Sequence, residues 1–180
     1  EPAEPMEIPV PAGDPWFDPF STGTVTLAFE RSAYDPSSGV GQNNPRRQIN
    51  AITAWIDASN VYGSDPARAM ALRRLDGTGR LRTSRGNLLP RNSDGIDNAP
   101  PDHFVAGDER ANEQVALTAM HTLWVREHNR MARQLRRRHP GLDGDEIYER
   151  TRAWVGALMQ KITYSDFLPL MLGPNAIPEY

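Results

Sequence analysis

The chain has 180 residues, with 20 Lys and Arg against 23 Asp and Glu, a net charge of −3 and no Cys. That balance removes any general electrostatic pull toward nucleic acid or anionic membrane, and the missing Cys excludes disulfides, thiolate metal sites and Cys nucleophiles. The length suits one sizeable core, no apolar run approaches the roughly 18–20 residues a membrane helix needs, and the opening EPAEPMEIPV has neither a basic nor an apolar leader region.

Residues 1–41 are rich in Pro and Gly, with PVPAGDP and DPSSG as turn signals, and predict an extended segment wrapped on a surface. Within it, residues 24–30 (TVTLAFE) alternate in the manner of a short strand, and Trp16, Phe17, Phe20 and Phe29 are expected to pack the segment down. Residues 48–56 read as a short helix with Ile49, Ile52 and Ile56 on one side. Thr53, Trp55, Asp57 and Ser59 then fall at alternate positions. In an extended backbone their oxygens converge on one side, a hard-ligand set of the kind Ca²⁺ prefers; the same residues could equally cap a helix end.

Ser64, Asp65 and Pro66 make a start signal for a helix over 67–75. DGTG and SRGN bracket residues 80–83, read as a small β-ribbon or an irregular excursion. Arg73, Arg74, Arg80, Arg82, Arg85 and Arg91 read as a solvated face, because no nucleic-acid-binding motif accompanies them. A polar loop over 92–103 leads to the central stretch.

That stretch is GDERANEQVALTAMHTLWVREHNRMARQL, residues 107–135. Asp108 can cap orphan N–H groups ahead of strong helix formers, so a long helix is predicted over about 110–137. Leu117, His121, Trp124, His128, Met131 and Leu135 form its apolar stripe, and Arg110, Glu113, Gln114 and Leu117 share a face at its start. By spacing alone, Arg110 and Glu113 make an exposed ion pair contributing ~0.2–0.5 kcal/mol. His121 and His128 sit about 10 Å apart along the axis, too far for one metal ion, and are taken as satisfied core histidines. RRRHPG stops the helix; a second long helix follows over 145–163, with Ile147, Thr151, Trp154, Leu158 and Ile162 inward and Val155 and Met159 beside them. Ser165 is expected to cap a third, short helix ending before Gly173 and Pro174. The fold is mainly α, and no P-loop, GxGxxG or GxSxG motif is present.

The run GDERANEQ…LTAMHTLWVREHNRMA resembles the distal-side helix of the animal-type haem peroxidase superfamily, the group of myeloperoxidase, lactoperoxidase and peroxidasin. RRQINAITAWIDASNVYGS, RAWVGALMQKITYSDFLPLMLG and, more loosely, PVPAGDPWFDPF agree in order, so the resemblance spans nearly the whole chain. It implies one partial peroxidase domain over 1–180, with an extended wrap over 1–47, a helical core over 48–180 and a minor β-ribbon. It also implies that Arg110 sits over haem b on the peroxide side, where a guanidinium stabilises charge on the departing oxygen. Glu113 would form an ester with a haem methyl; Gln114 stands where myeloperoxidase-like members carry Met, so no sulfonium link is expected. Thr53, Trp55, Asp57 and Ser59 would bind Ca²⁺, together with an Asp beside the distal His that this sequence lacks.

Neither the distal nor the proximal histidine motif occurs in the sequence. The resemblance therefore implies an internal stretch, partnered by the remaining segments of the same peroxidase, that reduces hydrogen peroxide and oxidises a small donor such as a halide, thiocyanate or a phenol. The alternative is a non-catalytic helical calcium-binding or interaction module that keeps the fold; the retained Arg110 and Glu113 favour the first. Vertebrate members are secreted and disulfide-bonded, which implies an extracellular setting, while the missing Cys is closer to the bacterial branch.

Overall fold

Proline sets the geometry of the first of two units, Glu1–Ala51. The computed structural model describes residues 4–50, 52–96, 99–173 and 175. In it, β1 (Glu4–Pro5) pairs antiparallel with β4 (Glu30–Arg31), and β2 (Ile8–Pro9) with β3 (Thr26–Leu27). Pro5 and Pro9 have no N–H to give a ladder, which confines each strand to two residues of edge pairing. The Met6 N–H to Phe29 carbonyl (2.8 Å) and Val10 N–H to Val25 carbonyl (2.9 Å) bonds fill the gaps. The strand predicted over 24–30 is therefore two short strands facing a proline-interrupted partner.

The aromatic anchors expected in this unit are not packed down: Trp16 is 86% exposed and Phe20 88%, with Phe17 and Phe29 also exposed. A carboxylate organises the turn instead. Asp18 is 1% exposed and accepts from the N–H groups of Thr22 (2.9 Å) and Gly23 (2.8 Å) and from the Thr22 hydroxyl (2.8 Å). Those bonds, Gly23's first, hold its carboxyl below the usual range. The helix predicted over 48–56 is absent among the described residues, Ala51 lying outside them. The backbone there is taken by extended pairing, Asp35 N–H to Arg47 carbonyl (2.8 Å) and Ile49 N–H to Ala33 carbonyl (3.1 Å), and Ile49 and Ile52 stay exposed.

The second unit, Ile52–Tyr180, is helical: α1 (Ser59–Tyr62), α2 (Pro66–Leu72), α3 (Val115–Arg138), α4 (Gly144–Ile162) and α5 (Leu168–Leu172). The Asp65 carboxylate caps α2 by accepting from Arg68 N–H, as its sequence predicts. α2 stops short of residue 75 because Arg73 turns extended and bridges to Leu81, with Arg82 N–H bonding the Leu72 carbonyl. Single bridges of this kind are what the ribbon predicted over 80–83 amounts to. Its arginines face acids or carbonyls: Arg73 pairs with Asp145, Arg74 with Asp76 (2.6 Å), Arg82 with Asp94 (2.5 Å), and Arg91 bonds the Asp102 carbonyl.

α3 begins at Val115, five residues later than the sequence suggests. Its buried side is His121, Thr122, Val125, His128, Asn129 and Ala132, so the two histidines face inward as expected while Trp124, Met131 and Leu135 lie on the flank. α4 starts with a complete capping box between Asp143 and Glu146 and buries Ile147, Tyr148, Thr151, Val155 and Gly156 against α3. Trp154, expected inward, is half exposed. Ala58, Val61, Tyr62, Leu72, Leu81, Leu89, Val105 and Ala111 complete the core between the helices and the irregular segments.

α4 does not end at Ser165. It passes through a π turn, Thr163–Phe167, into α5, with Leu168 N–H bonded to the Thr163 carbonyl. Pro169 cannot donate to the residue four before it, so the α ladder is already interrupted there. The Ser165 hydroxyl accepts from the Lys161 ammonium (2.8 Å) and caps nothing. Among the described residues, no helix is long and apolar enough to cross a membrane.

His128 fixes the centre of this unit. A carbonyl can only accept, so Nε2–H donates to the Gly79 carbonyl (2.9 Å), which leaves Nδ1 to accept from the Tyr62 hydroxyl (2.8 Å). Gly79 has φ +68°, and a Cβ there would lie 2.5 Å from Ile147 Cγ2, so only glycine brings this carbonyl so close. Burial lowers the His128 pKa from 6.5 to about 4. Below pH 6.5 the unfolded chain takes up a proton that folded His128 refuses; the stability tied to this ring is complete above 6.5 and is lost as pH falls toward 4. The difference in unfolding free energy between wild type and His128→Gln should accordingly shrink by about 3 kcal/mol between pH 7 and pH 4. Denaturant titrations of both proteins across that range measure it, and a constant difference would contradict a neutral, buried ring.

Candidate functional site

The turn that precedes α3 carries the residues the sequence singles out. Glu109–Asn112 form a 3-10 turn, capped by Asp108, whose carboxylate accepts from Arg110 N–H at 2.9 Å. Asn112 anchors the turn at two points, accepting from Phe104 N–H (2.9 Å) and donating to the Phe104 carbonyl (2.7 Å). Ala111 is fully buried, and the Thr118 hydroxyl donates to its carbonyl (2.6 Å). With Ala111 and Asn112 held inward, Arg110 and Glu113 are left exposed on the outer edge.

The shared α-helical face predicted for Arg110, Glu113, Gln114 and Leu117 does not exist, because Gln114 has φ −157° and ψ 157° and is the cap of α3, its side-chain oxygen accepting from Ala116 N–H (2.7 Å). The relation between Arg110 and Glu113 survives this break. A 3-10 turn has about three residues per turn and eclipses i and i+3, and Glu113 N–H bonds the Arg110 carbonyl (3.0 Å). Gln114 is set apart from them by the change to extended backbone.

Arg110 and Glu113 do not form the ion pair that spacing suggests. The guanidinium instead grips Asp108: Nε–H donates to Oδ1 (2.9 Å) and Nη2–H to Oδ2 (2.6 Å). The carboxylate is only 12% exposed, against 55% for the arginine side chain. Arg110's hydrogen bond holds the Asp108 carboxyl below its usual range and raises the arginine in return. Among the described residues the Glu113 carboxylate has no ion-pair or hydrogen-bond partner.

Thr53, Trp55, Asp57 and Ser59 do come together, though not by the alternation of an extended strand. The chain bends around Asp57, whose Oδ1 accepts from Ser59 N–H (3.0 Å) and whose Oδ2 takes the Thr53 hydroxyl at 3.4 Å; that hydroxyl also accepts from Trp55 N–H (3.1 Å). Ala58 adopts a left-handed conformation, φ 61°, to enter α1. Gln160 of α4 donates to the Ile56 carbonyl (2.8 Å). Among the described residues no three acidic or histidine side chains cluster as a metal site, so a cation here would rest on one carboxylate supplemented by hydroxyl and carbonyl oxygens.

The structure brings the two groups side by side. Gly107 lies against α1 so closely that a Cβ would fall 2.3 Å from the Ser59 carbonyl oxygen and 2.5 Å from Gly63 N. Arg68 Nη1 donates to the Ala106 carbonyl (2.9 Å), and His121 Nδ1–H to the Asn60 carbonyl (2.9 Å). Burial lowers the His121 pKa, with the bond to the Asn60 carbonyl and then the Asp108 charge opposing. Asp108 was legible only as a cap, and nothing marked Gly107; the nearest signal was an acid two positions before an arginine.

A family model described as animal haem peroxidase matches residues 1–180. Human dual oxidase 2 is 37% identical over 99% of this chain and 12% of its own length, and golden hamster lactoperoxidase 39% identical over 96% and 26%. Peroxidase A from Dictyostelium discoideum superposes with a TM-score of 0.83 at 31% identity, over 100% of this chain and 38% of that one. A fatty acid alpha-dioxygenase from Arabidopsis thaliana, at TM-score 0.65 and 21% identity over 95% of this chain and 25% of that one, shares the fold. The chain thus spans well under half of each relative, and with its whole length matched by the family model it belongs to the animal haem peroxidase family.

Proposed function

We propose that this chain is part of a single peroxidase domain and supplies its peroxide side, within a haem peroxidase that reduces hydrogen peroxide and oxidises a small donor such as a halide, thiocyanate or a phenol. One observation carries the reading: the 3-10 turn presents a clasped guanidinium, Arg110, and an unpartnered carboxylate, Glu113, on one exposed edge. Haem b, when bound, supplies the redox chemistry. The residues fit it: Glu113 is accessible and unpaired for attachment at the porphyrin rim, and Arg110 has a donor edge to offer over the face.

Arg110 remains protonated at any working pH, and with haem bound its rigid N–H donors would stabilise the negative charge that grows on the peroxide oxygen as the O–O bond breaks. Removing one such donor commonly costs 10²–10³ in rate, so Arg110→Ala should slow peroxide cleavage by roughly that factor in the haem-loaded protein. Stopped-flow mixing with peroxide tests it, and an unaltered rate would remove Arg110 from this role.

Glu113 would hold the haem by an ester to a ring methyl, for which peroxide would be the two-electron oxidant as the methyl carbon gave up a hydrogen for the carboxylate oxygen. Gln114, in extended backbone and engaged as the α3 cap, offers neither a thioether nor the same edge. Acid–butanone extraction after peroxide treatment should leave haem on the wild-type polypeptide and release it from Glu113→Gln. Free extraction from both would reduce Glu113 to an exposed acid.

The bend over residues 53–59 is proposed to bind Ca²⁺ through the Thr53 carbonyl and hydroxyl, the Trp55 carbonyl, Asp57 and Ser59. The oxygens are the hard donors that Ca²⁺ takes, and further ligands must come from elsewhere to reach six to eight. Asp57→Ala should abolish Ca²⁺ in metal analysis of the complete protein. If wild type contains none, Asp57 acts only as the turn-former that its bonds to Ser59 and Thr53 already make it.

A further inference from the structure

Asp108 is the most buried charged group at the peroxide-side turn, and its geometry exceeds what a cap needs. A cap requires one acceptor for one backbone N–H, and Asp108 Oδ1 provides it to Arg110 at 2.9 Å. The same carboxylate also takes Nε–H and Nη2–H of the same residue in parallel. Two parallel charge-assisted bonds fix the plane of a guanidinium as well as its position. Among the described residues Nη1 has no partner, so the clasp leaves that edge pointing away from the acid.

The support for the acid is itself rigid. Gly107 is wedged against the backbone of α1, where an added methyl would overlap the Ser59 carbonyl, and Arg68 ties the Ala106 carbonyl from the preceding side. On the following side Asn112 and Ala111 are fixed to Phe104 and to α3. The other charged or titratable groups near the clasp are His121, Glu109 and Glu113. His121 already donates its Nδ1–H to the Asn60 carbonyl, and neither glutamate bonds the arginine.

We infer that Asp108 is a positioning residue: it locks the Arg110 guanidinium so that its Nη1 edge, and not a rotating cation, faces the peroxide oxygen. This rests on the reading of Arg110 given above. An unclasped arginine half exposed to solvent would sample several rotamers, and the ordering would have to be repeated in every turnover.

The test uses Asp108→Asn and Asp108→Ser, which retain good capping residues while breaking the paired, charge-assisted contact. In the haem-free protein, the Arg110 Nε–H resonance, assigned by its loss in Arg110→Ala, should be shifted and protected from solvent exchange in wild type and should revert to free-arginine behaviour in both Asp108 variants. In the haem-loaded protein both variants should slow peroxide cleavage roughly 10- to 100-fold, yet add less than about twofold when placed on Arg110→Ala, because a residue acting through another has nothing left to act on. A solvent-like Nε–H in wild type overturns the inference. So does an effect that is fully additive with Arg110→Ala, which would mark a merely structural role. If Arg110→Ala slows the reaction and the Asp108 variants do not, Asp108 loses its role while the reading of Arg110 stands. An Arg110→Ala protein of undiminished rate overturns both.

Discussion

Three polar side chains on one face of α3 hold the irregular half of the helical unit in place. His121 bonds the Asn60 carbonyl, His128 bonds both the Tyr62 hydroxyl and the Gly79 carbonyl, and Asn129 pairs with the N–H and carbonyl of Leu81 at 2.8 and 3.1 Å. The segments they reach have little secondary structure to satisfy their own backbone. A buried backbone group left unpaired costs about 1–3 kcal/mol, so the helix acts as a rack of donors and acceptors on which α1 and residues 79–81 are hung. The aromatic rings of Tyr62, Tyr148 and His128, in mutual edge and tilted contact with centroids 5.4 to 5.8 Å apart, fill the space between.

That arrangement accounts for what could be read from the sequence. α3 and α4 were legible because their periodicity and the RRRHPG stop are local signals, and both helices form, α3 from Val115 and α4 from Gly144. The pairing of residues 33–35 with 47–49 was not legible: Ile49, Ile52 and Ile56 carry a helical spacing, and only a partner far along the chain takes the backbone bonds away. The inward histidines were correctly read as core, but their partners lie 49 to 66 residues distant and leave no local trace. At the site, the residues of interest were found through likeness to a family, whereas the local geometry was misjudged. A continuous helix was expected through Arg110, and Gln114 breaks it.

The break has chemical content. A 3-10 turn keeps residues three apart in register, so Arg110 and Glu113 remain neighbours, while the extended residue that follows removes Gln114 from their edge. Had α3 begun at Arg110, all three side chains would have shared one helical face, with Gln114 beside the pair. The turn also leans on α1 through Gly107, and α1 opens directly from the bend around Asp57. The bend around Asp57 and the turn that carries Arg110 are therefore joined by one backbone contact, Gly107 against the first turn of α1.

The π turn at Thr163–Phe167 bears on how this chain is to be aligned with others. A π turn is an α-helix carrying one surplus residue. A relative in which α4 and α5 join without it should match this one only through a single-residue gap near the turn, and a gapless alignment would assign every later position to the wrong side of the helix. Leu168 and Pro169 are partly buried while Leu170, Met171 and Leu172 are exposed, so a one-residue error here would exchange outward positions with partly covered ones, and ancestry is better traced by geometry than by letters.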